Sequence, residues 1–119
     1  MATRADFIEY VREQASGTRG TVSFRRMFGE YAVYVDDKVV ALVCDNQFYL
    51  KPTSAGRARL GTVVEAPPYP GASLYLRLDA ALEDAELMAV LLRETADALP
   101  PPKAKPARRP AGAPRRRGR

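Results

Sequence analysis

The chain has 119 residues, 46% of them hydrophobic, with a formal net charge of +5, enough for one domain around one packed core. No apolar stretch approaches the ~20 residues of a membrane-spanning helix, and the start, MATRADFIEYVREQ, is charged rather than signal-like. Histidine is absent and Cys44 is the sole cysteine, so an internal disulfide is excluded, nothing argues for secretion, and the cytoplasm is the expected compartment.

Thr3 followed by Asp6 reads as a variant capping box, and Phe7, Ile8, Val11 and Ala15 then recur at helical spacing. The spacing predicts a first helix over 4–16, stopped at Gly17. A short strand follows, with Val22 and Phe24 on one face and Ser23 and Arg25 on the other. YAVYV (31–35), KVVALVC (38–44) and QFYLK (47–51) are rich in β-branched and aromatic residues. Asp36-Asp37 and Asp45-Asn46 separate them, and both pairs tolerate positive φ, which predicts a three-stranded antiparallel meander. Its middle strand, Val39 to Val43, is apolar without alternation. That pattern calls for cover on both faces, by helices or by another subunit.

Pro52 ends the meander, and residues 54–60 suit a short helix. The run 61–72 is loop or irregular edge, because Pro67, Pro68 and Pro70 forbid a central strand. SLYLRL then alternates, placing Leu74, Leu76 and Leu78 inward and Tyr75 and Arg77 outward. A last helix over 84–98 carries Leu87, Val90, Leu91 and Leu92 on one arc.

After Leu99 the pattern stops. Residues 100–119 hold six of the ten prolines and no large apolar residue, a composition that leans to extended polyproline rather than to a core. They also hold eight of the 19 basic residues and no acid, leaving 11 bases against 14 acids in residues 1–99. A domain of about −3 therefore precedes a tail of +8, and the expected division is 1–99 folded, 100–119 disordered basic tail. Lys103, Lys105, Arg108, Arg109, Arg115, Arg116, Arg117 and Arg119 are the candidate nucleic-acid contacts, since eight cations without acids condense on a polyanion by counterion release. RGR at 117–119 resembles half of an AT-hook, and the chain ends before its proline. The alternative for the tail is a solubilising extension.

Catalytic machinery is not legible. Without histidine the commonest general base and metal ligand is missing, and Cys44, closing an apolar strand, reads as a buried, inert thiol. The turns bearing Asp36, Asp37 and Asp45 lie at opposite ends of one strand, about 20 Å apart at ~3.3 Å per residue, too far to share an ion. No phosphate loop, G-x-G-x-x-G, G-x-S-x-G or metal-spaced cysteine pattern occurs. The expectation is a protein that is not an enzyme, with no catalytic residue, cofactor or metal. RMFGEYAVY shares a few positions with the signature of RNA-recognition motifs, but Met27 replaces its glycine, Glu30 its aromatic, and the domain is acidic.

The stretch RRMFGEYAVYVDDKVVALVCDNQFYLKP resembles the signature of the TfoX/Sxy N-terminal domain family, which runs R-R-M-F-G-G-x-G-x-Y, an acidic turn, F-A-L-V, a second acidic turn and L-Y-L-K. Arg25, Arg26, Met27, Phe28, Gly29, Tyr34, Asp36, Ala41, Leu42, Val43, Asp45, Tyr49, Leu50 and Lys51 fall on it in register. Residues 67–99 are similar to the family's second half. Glu30 and Ala32 stand where the family carries glycines, and Asp37 replaces the glycine of its D-G turn, which asks for backbone strain or a different turn.

The resemblance implies an α+β fold: an antiparallel sheet with a three-stranded meander, flanked by N- and C-terminal helices in the order α-β(3–4)-α-β-α. The residue-level reading agrees. It further implies a non-enzymatic regulator, because the family's competence regulators are co-activators working with a cyclic-AMP receptor protein. Those regulators carry a second, helical domain where this chain has its basic tail. Gly29 is expected to permit a tight bend with Met27 and Phe28 packed beneath it. Arg25 and Arg26 project at a strand end, either paired with acids of the domain or contacting a partner. Two functions follow: an adaptor that binds a transcription regulator or polymerase while its tail holds DNA, or a homodimeric interaction module with a solubilising tail.

Overall fold

A computed structural model describes residues 3–101. In chain order the elements are α1 (Ala5–Ala15), β1 (Val22–Met27), β2 (Glu30–Val35), β3 (Lys38–Cys44), β4 (Gln47–Leu50), α2 (Ser54–Leu60), β5 (Val64–Ala66), β6 (Tyr75–Leu78), a short 3-10 turn (Ala80–Glu83) and α3 (Ala85–Ala98). The strands form one antiparallel sheet in the order β1-β2-β3-β4-β6-β5. The predicted meander is β2-β3-β4, with the predicted short strand β1 as a fourth arm before it. The proline-rich run adds one short strand, β5, at the sheet's edge, where a missing N–H can be tolerated.

Each hairpin of the meander closes through two residues at positive φ: Phe28 (53°) and Gly29 (83°), Asp36 (51°) and Asp37 (69°), Asp45 (51°) and Asn46 (60°). Two successive positive-φ residues make the turn whose twist matches that of the strands it joins. The strain implied at Asp37 is therefore present. Glu30 and Ala32 are ordinary extended residues of β2 and carry none.

The core lies on one face of the sheet. Val33, Val43, Phe48, Leu50 and Leu76 there meet Val11 of α1 and Met88, Leu91 and Leu92 of α3, all of them inaccessible to solvent. Each such side chain removed from water stabilises the fold by about 1.5–3 kcal/mol. Two inward assignments are corrected. Leu74 precedes β6 and is 53% exposed, Val90 lies on the outer side of α3, and Met88, Thr95 and Ala96 complete the buried arc instead.

The non-alternating run of β3 has a different cause from the one its composition implies. Val33 pairs with Ala41 and Tyr34 with Val39, so Val40 is an extra residue in the ladder. This bulge shifts the pleat by one. Lys38 and Val40 point to the helices before it, Ala41 and Val43 after it, and Val39, Leu42 and Cys44 fall on the opposite face. Helices cover one face only; over Leu42 and Cys44 the chain's own Pro68 and Tyr69 fold back.

The helices are anchored at their ends. Thr53 Oγ1 accepts from the Gly56 amide at 3.0 Å and caps α2, and Asp84 Oδ1 accepts from the Leu87 amide at 3.0 Å and caps α3. Lys38 Nζ donates to the carbonyls of Ala96 (2.7 Å) and Leu99 (3.2 Å), placing a cation at the negative end of α3. The predicted capping box of α1 does not form: Arg4 precedes the helix and pairs with Asp6, while Thr3 is used elsewhere.

Candidate interaction site on the open face

At the end of the sheet where β1 turns into β2, Thr3 Oγ1 donates to Glu30 Oε1 at 2.6 Å, and the same carboxylate accepts from the Asp45 amide at 3.1 Å. The Asn46 amide donates back to Thr3 Oγ1 at 3.3 Å, the Arg4 amide donates to Asn46 Oδ1 at 2.9 Å, and the Thr3 amide donates to the Gly29 carbonyl at 3.1 Å. The N-terminal segment thus fastens the Phe28-Gly29 turn to the Asp45-Asn46 turn. Glu30, a departure from the family pattern, is the acceptor at the centre of that fastening.

The fastened turn holds out Phe28. The expectation that Met27 and Phe28 pack beneath Gly29 is overturned: Met27 is 42% exposed and Phe28 is 102% exposed. A bulky aromatic at φ 53° gives up backbone comfort, and here it gains no burial in return. Beside it lies a cavity of about 420 Å³ lined by Met27, Phe28, Glu30, Tyr31, Leu42, Cys44, Pro68 and Tyr69. Tyr69, at the tip of the proline-rich loop, is 56% exposed and forms its far wall. Volume and apolar, aromatic lining are those of a recognition pocket.

Arg25 and Arg26 are both exposed on the edge strand β1. Arg25 faces the open side, its guanidinium carbon 5.7 Å from the centre of the Tyr34 ring, a cation–π contact. Arg26 faces the helix side, opposite Tyr31. Pairing with acids of the domain is corrected: neither makes an ion pair among the described residues. Their charges sit where a second sheet would otherwise add to β1. The eight tail cations, Lys103, Lys105, Arg108, Arg109, Arg115, Arg116, Arg117 and Arg119, lie outside the described residues.

The remaining ionisable groups have structural partners. Cys44 is buried, and desolvation, followed by the nearby charges of Glu30 and Asp45, pushes its thiol up to about 11, so almost no thiolate exists at neutral pH. Asp36 is held below the ordinary carboxylate value first by the Thr21 amide, which donates at 2.9 Å, and then by Arg93 at 3.0 Å. Arg93 also donates to the Arg19 carbonyl at 2.7 Å and to Asp97, locking α3 to the entry of β1 and to the Asp36 turn. Arg59 and Glu94 join α2 to α3 by two parallel hydrogen bonds, at 2.9 and 2.7 Å. Among the described residues no three Cys, Asp or Glu side chains group as metal ligands, and no helix is long and apolar enough to cross a membrane.

Sequence reasoning placed Arg25, Arg26 and the tail on the candidate list and left out Phe28 and Tyr69. The available signal was the spacing: only Phe28 and Gly29 separate two strands, so Phe28 must take positive φ, where an aromatic has no folding advantage.

Comparison with known proteins agrees with this architecture. The model of the TfoX N-terminal domain matches residues 13–99. The chain is 49% identical over 108 residues, 91% of its length and 93% of the relative's, to an uncharacterized 12.7 kDa protein in the trpE 5' region of Spirochaeta aurantia. It is also 40% identical over 42 residues to Protein Sxy of Escherichia coli (strain K12), a match that covers 35% of this chain and 20% of Sxy. With nearly all of the described sheet and its last helix inside the matched region, the chain belongs to the TfoX N-terminal domain family.

Proposed function

We propose that this protein is a non-enzymatic regulatory adaptor of the cytoplasm. Its domain engages a protein of the transcription apparatus through the Phe28 face, and its basic tail holds the assembly on DNA. The observation that carries the reading is Phe28 itself, fully exposed, strained and fastened in place beside an apolar cavity. Exposed aromatics beside a pocket are the residue type that dominates binding energy in protein interfaces. The division into a domain of about −3 and a tail of +8 supports the DNA role, since the domain alone repels phosphate. Membership of the TfoX N-terminal domain family, together with the partial match to Sxy, supports a regulatory rather than catalytic part. The cavity chemistry agrees: its one carboxylate, Glu30, accepts hydrogen bonds from Thr3 and the Asp45 amide, and its thiol stays protonated.

Duplex-DNA binding over a salt series tests the anchor. The full chain should bind with a log–log slope of about −5 to −7, near 0.9 per phosphate neutralised by the eight tail cations, and a chain ending at Pro101 should lose that binding. Equal binding by both would move the contact to the folded domain and to Arg25 and Arg26. The homodimer is the second reading, favoured by the same open face. It requires a mass above that of the monomer in light scattering at micromolar concentration.

A further inference from the structure

The cavity beside Phe28 has a composition that selects its occupant. Phe28, Pro68 and Tyr69 supply apolar walls, and Glu30 also lines the cavity. Asp45 is adjacent, close enough for its charge to act on Cys44 in the cavity wall, and among the described residues neither Glu30 nor Asp45 has a cationic partner. Aromatic walls with an acidic rim are what an extended proline-rich segment bearing arginines requires. Its rings stack on the aromatics at little entropic cost, and its cations reach the carboxylates.

Such a segment belongs to the chain itself. PARRPAGAP, residues 106–114, places Pro106, Pro110 and Pro114 around Arg108 and Arg109. Its starting point is fixed, because Lys38 holds the Leu99 carbonyl at 3.2 Å at the far end of β3. The cavity lies at the other end of β3, about 20 Å away, on the opposite face of the sheet. At ~3.1 Å per residue, the chain leaving Leu99 covers about 20 Å by Pro106 and about 45 Å by Pro114, enough to round the sheet and arrive. Arg25 occupies the same face farther back along β1, so the arriving arginines are directed toward Glu30 and Asp45.

We propose that residues 106–114 dock within the same molecule into the cavity lined by Phe28, Pro68 and Tyr69, with Arg108 and Arg109 at Glu30 and Asp45. The inference deepens the adaptor reading and rests on it for its consequence: DNA that takes up the tail uncovers the Phe28 face, so the partner surface opens where DNA is present.

The test compares backbone amide spectra of the full chain and of a chain ending at Pro101, which retains every core residue. Expected are shift differences concentrated on Met27, Phe28, Tyr31, Leu42, Cys44 and Tyr69, independent of protein concentration and abolished by Arg108→Ser with Arg109→Ser. Superimposable spectra on that face would overturn the docking, as would differences confined to Asp6, Glu9 and Glu13 on α1. Differences that grow with concentration would assign the segment to a second copy and refute docking within one molecule. A second readout uses the full chain with Phe28→Asn, which removes the ring and adds no charge. Freeing a tail docked most of the time should tighten duplex-DNA binding by on the order of 5-fold; unchanged affinity would count against the docking. Loss of all DNA binding by the parent chain, with the shift pattern intact, would refute the DNA anchor and still support the docking.

Discussion

The two ends of the meander use the same turn for opposite purposes. At one end, Asp36 and Asp37 take positive φ, and two charged groups are answered: Asp36 by the Thr21 amide and Arg93, Lys38 by the carbonyls of Ala96 and Leu99. At the other end, Phe28 and Gly29 take positive φ, Glu30 and Thr3 fasten the turn, and the side chain so fixed touches nothing beneath it. The first end is organised for folding. The second spends local strain on display, the arrangement expected where a surface is kept for a partner.

The largest contrast is between the exposed Phe28 and a buried aromatic at the same end of the sheet. Phe48 is inaccessible to solvent beneath the helices, and Phe48→Ala should cost about 3–5 kcal/mol in chemical denaturation. A loss below 1 kcal/mol would mean that the core is not where these contacts place it.

The Asp36 end is next. Gly20 has φ 102°, and a Cβ there would stand 2.6 Å from Arg93 Nη1 and 2.7 Å from Asp36 Oδ1. Gly20→Ala should therefore destabilise by about 1–3 kcal/mol through backbone strain and a displaced Arg93. An unchanged midpoint would show that the Arg93 lock contributes nothing.

A smaller effect concerns acid. The folded-state pKa of Asp36 lies below its unfolded value, so its stabilising contribution is complete above the ordinary carboxylate range and drains away as pH falls toward the folded value. Asp36→Asn should lower stability at pH 7 and flatten the loss below about pH 4. Parallel acid limbs for the two proteins would contradict the assignment.

Much of the fold was legible because it is written locally. Asp36-Asp37 and Asp45-Asn46 announce their turns, and the apolar spacing of α1 and the alternation of Leu76 and Leu78 announce their faces. What escaped depends on register. The bulge at Val40 turned an apolar run that suggested cover on two sides into one that serves a single helical layer, and pairing across β2 decides that. Thr3 was read as a cap because Asp6 follows it; its true partner is Glu30, 27 residues away. The sequence places Phe28 beneath the bend at Gly29, yet a two-residue turn leaves its side chain no interior to enter. That Arg25 and Arg26 project is legible in the sequence; that they lie on opposite faces of an edge strand, without an acid partner among the described residues, follows from strand pairing.

The most direct measurement is the stability of Phe28→Asn by chemical denaturation. The change places Asn before Gly29, the pair best suited to this turn, and removes an aromatic that packs on nothing. If Phe28 is kept for display, the variant should be as stable as the parent or more so, by about 0.5–1 kcal/mol. A loss of 1 kcal/mol or more would show that Phe28 serves the fold, and would contradict the account of this face as a partner surface.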